Sequence, residues 1–183
     1  GMCATSHPLA AQAALEILKN GGNAMDAAIA GAVLLGICEP QMTGIGGDCF
    51  VLFSPAGSNE IKSMNGSGTP PSLANANNLR DQGLRSIPLN STHSVTIPCA
   101  IDAFCKLSND WGKLGLDRIL QPAIHYAERG VPIAERVAYD LAELTETLNP
   151  SGREFYLPWG RAPKIGELFA HHGQVKVLKE IAK

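Results

Sequence analysis

Helical spacing of apolar residues dominates the start of the chain. His7-Pro8 puts a proline at a first helical position, where its missing N–H costs nothing. Ala10, Ala13, Ala14, Ile17 and Leu18 then share one face, at i, i+3, i+4, i+7 and i+8. Asn20-Gly21-Gly22 supplies a left-handed stop. A second helix follows at once. Asn23 is a capping residue, and Asp26 sits in the first turn, where the helix dipole favours negative charge. Residues 27–38 are apolar on every side, which predicts burial all round, and Pro40 ends the helix.

The period then changes. A glycine-rich loop, Thr43-Gly44-Ile45-Gly46-Gly47-Asp48, leads into two short β-type runs, residues 49–53 and 61–64. Pro55-Ala56-Gly57-Ser58-Asn59 between them predicts a hairpin with a longer loop. Both runs are mostly apolar, so both faces are expected to be covered. Residues 65–90, rich in Gly, Ser, Pro and Asn, predict an irregular and functional loop. Val95-Thr96-Ile97 reads as a brief extended piece. Helices are predicted over residues 98–107, 117–129, 134–148 and 174–182. In the second of these, Leu116, Leu120, Ala123, Ile124 and Ala127 line one face, Pro122 tightens or bends the first turn and Gly130 ends it. Asn149-Pro150-Ser151-Gly152 reads as a turn. No internal repeat is visible, and the pattern is α/β (α+β), mainly helical with a short β-hairpin.

Composition narrows the possibilities. Of 183 residues, 45% are hydrophobic and 17% charged, against about 25% charged in an average chain. So poor a charged surface predicts that much of the outside is covered by something else. The 15 basic and 17 acidic residues give a formal charge of −2, with no basic block, which argues against a nucleic-acid partner. The longest apolar stretch, residues 27–38, is shorter than the roughly 20 residues of a membrane span. Five cysteines (Cys3, Cys38, Cys49, Cys99, Cys105) without a CxxC spacing predict reduced thiols, most of them in apolar segments. With no visible signal peptide, this leans towards the cytoplasm. Gly1-Met2 reads as an expression scar or as internal sequence.

No self-contained active site emerges from spacing. Gly44-Ile45-Gly46-Gly47 lacks both the third glycine of a dinucleotide loop and the Gly-Lys-Ser/Thr of a P-loop, and leads into a strand, so a structural turn is expected. His171-His172 point in different directions and no third ligand follows, so no metal is expected. His7 and His93 read as capping or loop residues. No cofactor is implied, and neither a GxSxG motif nor a specific Ser, His and Asp spacing is present.

Ordered blocks carry a resemblance. Gly1-Met2-Cys3-Ala4, His7-Pro8-Leu9-Ala10, Gly21-Gly22-Asn23-Ala24 and Asp26-Ala27-Ala28 are similar to the opening of γ-glutamyltransferases. Glu39-Pro40-Gln41 followed by Gly44-Ile45-Gly46-Gly47 is more specific. Ser94-Val95-Thr96-Ile97-Pro98, Gly112-Lys113-Leu114, Pro122-Ala123-Ile124 and Ala127-Glu128-Arg129-Gly130 follow in the same order. The chain therefore resembles the N-terminal part of that family's large subunit over nearly its whole length. The resemblance implies an N-terminal-nucleophile hydrolase with a four-layer αββα sandwich, made as a precursor that cuts itself into two subunits. It implies a nucleophilic Thr at the new N-terminus of the small subunit, whose α-amine is its own base, and an oxyanion hole. On this reading residues 1–183 are an incomplete domain that continues beyond 183. They hold no catalytic residue and are inactive alone. Their partners are the rest of the large subunit, the small subunit and a small amide such as glutathione or another γ-glutamyl compound.

The resemblance also marks a substrate-binding segment with a departure. Family members carry an Arg after the second strand that pairs with the substrate's α-carboxylate. Here the segment reads Asn65-Gly66-Ser67-Gly68-Thr69-Pro70-Pro71, with Ser67 at the Arg position. Asn65, Ser67 and Thr69 are the expected substrate-binding residues. Ser offers no bidentate fork for a carboxylate. The Gly-Ser-Gly form resembles a branch that includes acylases and an oxamate amidohydrolase, so the alternatives are an amidohydrolase acting on a non-γ-glutamyl substrate or a non-catalytic fragment.

Overall fold

The computed structural model describes all residues, 1–183. In chain order the elements are α1 (Pro8–Lys19), α2 (Ala24–Cys38), β1 (Phe50–Phe53), β2 (Lys62–Asn65), α3 (Ala76–Asp81), α4 (Ala100–Trp111), α5 (Leu116–Ile119), α6 (Gln121–Arg129), β3 (Val131–Pro132), α7 (Glu135–Leu144), α8 (Pro150–Tyr156), β4 (Leu168–Phe169) and α9 (His172–Ile181). They form two compact units, Gly1–Gly44 with Cys105–Lys183, and Ile45–Phe104.

The first unit is helical. His7 caps α1 by accepting the Leu9 N–H on Nδ1 at 3.2 Å, and Gly21 makes the left-handed exit with φ +92°. The alanine face of α1 packs on α2 and buries Ala10, Ala13, Ala14 and Ile17. Small side chains let two helices approach closely, and that turns the Ala and Gly pattern into a dense interface. Val33, Leu34 and Ile37 of α2 complete this core with Ile119 of α5, Leu120 at the junction, Ala123 and Ala127 of α6, and Leu178 from α9. α2 is not buried all round as its composition predicts, because Ala28 and Ala32 lie on an exposed stripe. Alanine costs little in water and favours the helix, so apolar character overstates burial there.

Asp26 knits this unit together. Its Oδ2 accepts the Asn23 N–H at 2.9 Å while Asn23 Oδ1 accepts the Asp26 N–H at 3.0 Å, a reciprocal cap. The same carboxylate accepts the Lys113 N–H at 3.0 Å and the Leu114 N–H at 3.2 Å. It is fully buried, and its bonds fix the turn after α4 to the start of α2. A smaller apolar cluster gathers Ile133, Val137, Leu141 and Phe169.

Several sequence expectations need correction in this unit. The helix expected over residues 117–129 is two, α5 and α6, because Pro122 has no N–H to continue the ladder. The helix expected over 134–148 stops at Leu144, and a 3₁₀ turn, Thr145–Thr147, follows. Asn149-Pro150-Ser151-Gly152 is not a free turn but the start of α8. Asn149 Oδ1 accepts the Gly152 N–H at 2.8 Å, and Pro150 takes the first helical position. β3 and β4 pair Val131 with Phe169 and Pro132 with Leu168, too short a ladder to leave a period in the sequence.

The second unit holds the hairpin. β1 and β2 are antiparallel in the register Phe50↔Asn65, Val51↔Met64, Leu52↔Ser63 and Phe53↔Lys62. Cys49 and Gly66 extend the ladder, exchanging N–H···O bonds of 3.3 and 2.7 Å. One face is half-buried through Val51, Phe53 and Met64, and the other lacks the expected cover, as an incomplete domain leaves it. Phe50 (70% exposed) and Leu52 (77%) share an open face with Ser63 and Asn65. The stretch 65–90, expected to be irregular throughout, contains α3, capped by Asn75, whose Oδ1 accepts the Asn77 and Asn78 N–H groups. The helix expected over 98–107 is α4, which begins and ends later.

Candidate functional site

The segment after β2 is built by backbone contacts from three stretches of the second unit. Asn65 ends the strand, because its Oδ1 accepts the Ser67 N–H at 3.0 Å and bends the chain back. Gly66 lies so close to α4 that a Cβ there would sit 2.6 Å from the Ala103 Cβ. Gly68 is more tightly placed still, since any side chain would be driven into the Ile97 carbonyl. Both glycines are therefore demanded by close approach. The Thr69 carbonyl accepts the Ile97 N–H at 3.0 Å. The Gly47 carbonyl accepts the Cys99 and Ala100 N–H groups at 3.3 and 3.0 Å, satisfying donors at the start of α4.

Asp48 closes the arrangement: its Oδ1 accepts the Gly68 N–H at 3.2 Å. Spacing gave no hint of this residue, which reads as one more polar member of a glycine-rich loop. Its partner lies twenty residues away in sequence. The turn reading of Gly44 to Gly47 is the one the structure supports, with the added role of anchoring residues 97–100 and, through Asp48, residue 68.

Of the three expected substrate-binding residues, Asn65 and Thr69 are exposed and Ser67 is half-buried. Asn65 and Ser67 are directly linked, while Thr69 is tied to Ile97 through its carbonyl. Neither nearby cation reaches them. Arg80 is exposed on α3, where Nη1 donates to Asn77 Oδ1 at 3.1 Å. Arg85 is exposed and makes no ion pair. Beyond Thr69 a cleft of about 360 Å³ is lined by Pro70, Pro71, Leu79, Ile87 and His93 among others.

Proton-transfer chemistry is poorly provided for. Burial pushes the Cys38 thiol up to about 12, with the Glu39 carboxylate adding to the effect, and burial raises the Cys49 thiol as well. Both therefore stay protonated and unreactive at neutral pH. His171 is 1% exposed, edge-on to Phe169 and Phe155. Neither ring nitrogen has a hydrogen-bond partner. Burial lowers its pKa to about 4, and the nearby Ile37 backbone offsets only part of that. It is a neutral core ring, and no cluster of His, Cys, Asp and Glu is placed to hold a metal. What residues 65–69 offer is a hydroxyl-bearing turn held in place by hydrogen bonds to Asn65, Asp48 and Ile97.

Comparison with known proteins identifies the family. Residues 10–183 match the family model described as Gamma-glutamyltranspeptidase. A glutathione hydrolase-like proenzyme of Bacillus subtilis is 34% identical over 187 residues, covering 100% of this chain and 35% of that protein. The oxamate amidohydrolase proenzyme of Klebsiella pneumoniae is also 34% identical, over 191 residues, with 100% and 35% covered. The crystal structure of cephalosporin acylase from Bacillus halodurans superposes with a TM-score of 0.92 at 37% identity, covering 98% of this chain and 35% of that one. The chain thus spans about a third of the length of these relatives. No helix is long and apolar enough to cross a membrane.

Proposed function

Since the chain belongs to the γ-glutamyltranspeptidase family, we propose that it is the N-terminal part of the large subunit of an amide-cleaving enzyme. The enzyme takes the acyl group from a small amide and passes it to water or an amine. An N-terminal Thr, borne by a small subunit released through self-cleavage, attacks the amide carbonyl. Its α-amine takes the hydroxyl proton and returns it to the leaving amine. Residues 1–183 contribute the wall built from Asn65, Ser67 and Thr69, which positions the acyl group. They supply neither the nucleophile nor the oxyanion donors.

The observation that carries this reading is the family match over residues 10–183, joined to a segment 65–69 held in one shape by side-chain and backbone hydrogen bonds. The bare face of Phe50 and Leu52 supports the remaining large subunit and the small subunit as partners, because apolar sheet faces of this kind are normally covered.

γ-Glutamyl compounds such as glutathione are the first substrate reading. A second, a different small amide, is favoured by Ser67, which leaves the segment without a guanidinium for an α-carboxylate. The test is expression of the complete reading frame. Self-cleavage into two polypeptides, the smaller beginning with Thr, together with turnover of γ-glutamyl-p-nitroanilide or a simpler acyl anilide, is expected. Residues 1–183 alone should show no turnover above a buffer blank. A complete protein that stays in one piece and cleaves no amide would overturn the reading.

A further inference from the structure

We propose that Asp48 is a positioning and charge-selecting residue of the acyl site, steering it towards acyl groups that are neutral or carry an ammonium and away from those bearing a carboxylate. The proposal rests on the amide-cleaving function assigned above and specifies its substrate class.

Geometry gives Asp48 two separable effects. Through Oδ1 it holds the Gly68 N–H at 3.2 Å, and the Ile97 carbonyl crowds the same glycine so closely that no side chain fits. Gly68 is thus held by the carboxylate and hemmed in by a carbonyl, and the peptide that joins it to Ser67 is fixed with it. The second effect is charge. Asp48 is exposed, its other carboxylate oxygen has no hydrogen-bond partner, and no Lys or Arg pairs with it. Arg80 is engaged with Asn77, and Lys62 with Glu60 at 3.6 Å. An uncompensated negative charge therefore stands one peptide from Ser67. A substrate carboxylate brought to this segment meets like charge, whereas an ammonium or a neutral chain does not. Ser67 merely lacks an attraction; Asp48 adds a repulsion, and that is what makes a site selective.

The experiment uses the mature full-length enzyme and three anilides of matched chain length. Glutaryl-p-nitroanilide carries a carboxylate, 4-aminobutanoyl-p-nitroanilide an ammonium, and pentanoyl-p-nitroanilide no charge. Asp48→Asn keeps an oxygen acceptor for the Gly68 N–H and removes the charge. It should raise kcat/KM for the glutaryl substrate relative to the 4-aminobutanoyl one by about 3- to 10-fold, chiefly through KM, as fits one exposed charge at several ångströms. Asp48→Ala removes acceptor and charge together and should lower kcat/KM on the pentanoyl substrate further than Asp48→Asn does. A purely structural Asp48 would move all three substrates alike, so an unchanged glutaryl to 4-aminobutanoyl ratio in Asp48→Asn overturns the proposal. If the enzyme processes itself but cleaves none of the anilides, calorimetric binding of glutarate, 4-aminobutyrate and pentanoate to wild type and Asp48→Asn reads the same ratio. If it neither processes itself nor cleaves any amide, the proposed function has failed and the role of Asp48 falls with it.

Discussion

Two aspartates organise the two units of the chain in opposite ways. Asp26 is fully buried and accepts N–H bonds from Asn23, Lys113 and Leu114. Asp48 is exposed and accepts one, from Gly68. A buried carboxylate survives only when its lone pairs are filled, so its neighbourhood is specified by the charge and in turn specifies the fold. An exposed carboxylate keeps its hydration and loses little by having a free oxygen. Its charge stays available to whatever approaches. The first is therefore a matter of stability and the second of recognition, and variants at the two should fail in different assays.

The largest effect is expected at Asp26. Asp26→Ala leaves three part-buried N–H groups without their acceptor and breaks one half of the reciprocal cap of α2. The loss should be about 3–5 kcal/mol, read as a lower denaturant midpoint or as failure to accumulate soluble protein. Asp26→Asn retains one oxygen and should lie between Ala and wild type. A wild-type midpoint for Asp26→Ala would remove the distinction between the two aspartates.

His171 sharpens the same contrast, because it is buried like Asp26 but unsatisfied. Its folded pKa of about 4 lies below the ordinary 6.5, so between those values the unfolded chain binds more protons than the folded one. Its contribution is intact above pH 6.5 and is lost as the pH falls to 4, by about 3 kcal/mol. Denaturant titrations at pH 7 and pH 4.5 measure the slope. His171→Phe should flatten it and cost little at pH 7, because an aromatic ring replaces two unpartnered nitrogens. A slope unchanged in that variant would place the pH dependence elsewhere.

How much of this was legible in the sequence follows the range of the contacts involved. The two opening helices could be read from Pro8, Asn23, Gly21 and the alanine spacing, since each acts within a turn or two of the chain. So could the hairpin, to within a residue of its observed ends. α8 was hidden because Asn149-Pro150-Ser151-Gly152 satisfies the chemistry of a turn and of a helix start equally. The break between α5 and α6 was half-visible in Pro122. The resemblance named Asn65 and Ser67 as expected contacts, but the bonds from Asp48 to Gly68 and from Asp26 to Lys113 join distant positions. Hydrophobic periodicity carries nothing about a carboxylate reaching a backbone amide across the fold.

The smallest expected effect, and the sharpest on recognition, is at Ser67. If Ser67 stands where the resemblance puts the family's carboxylate contact, Ser67→Arg in the full-length enzyme supplies a planar fork there, so use of substrates with a free α-carboxylate should improve. A charge-assisted bond is worth about 1.5–3 kcal/mol when formed well. The gain here should be smaller, because the new guanidinium arrives one peptide from Asp48 and pairs with it first. A severalfold fall in KM for glutathione is expected in Ser67→Arg, and a larger one in the double variant with Asp48→Asn. The two changes should therefore be more than additive, as contacting residues are. If the wild-type enzyme already hydrolyses glutathione efficiently and Ser67→Arg lowers that activity, another group has taken over the carboxylate. Ser67 and Asp48 would then not set the charge preference of the site.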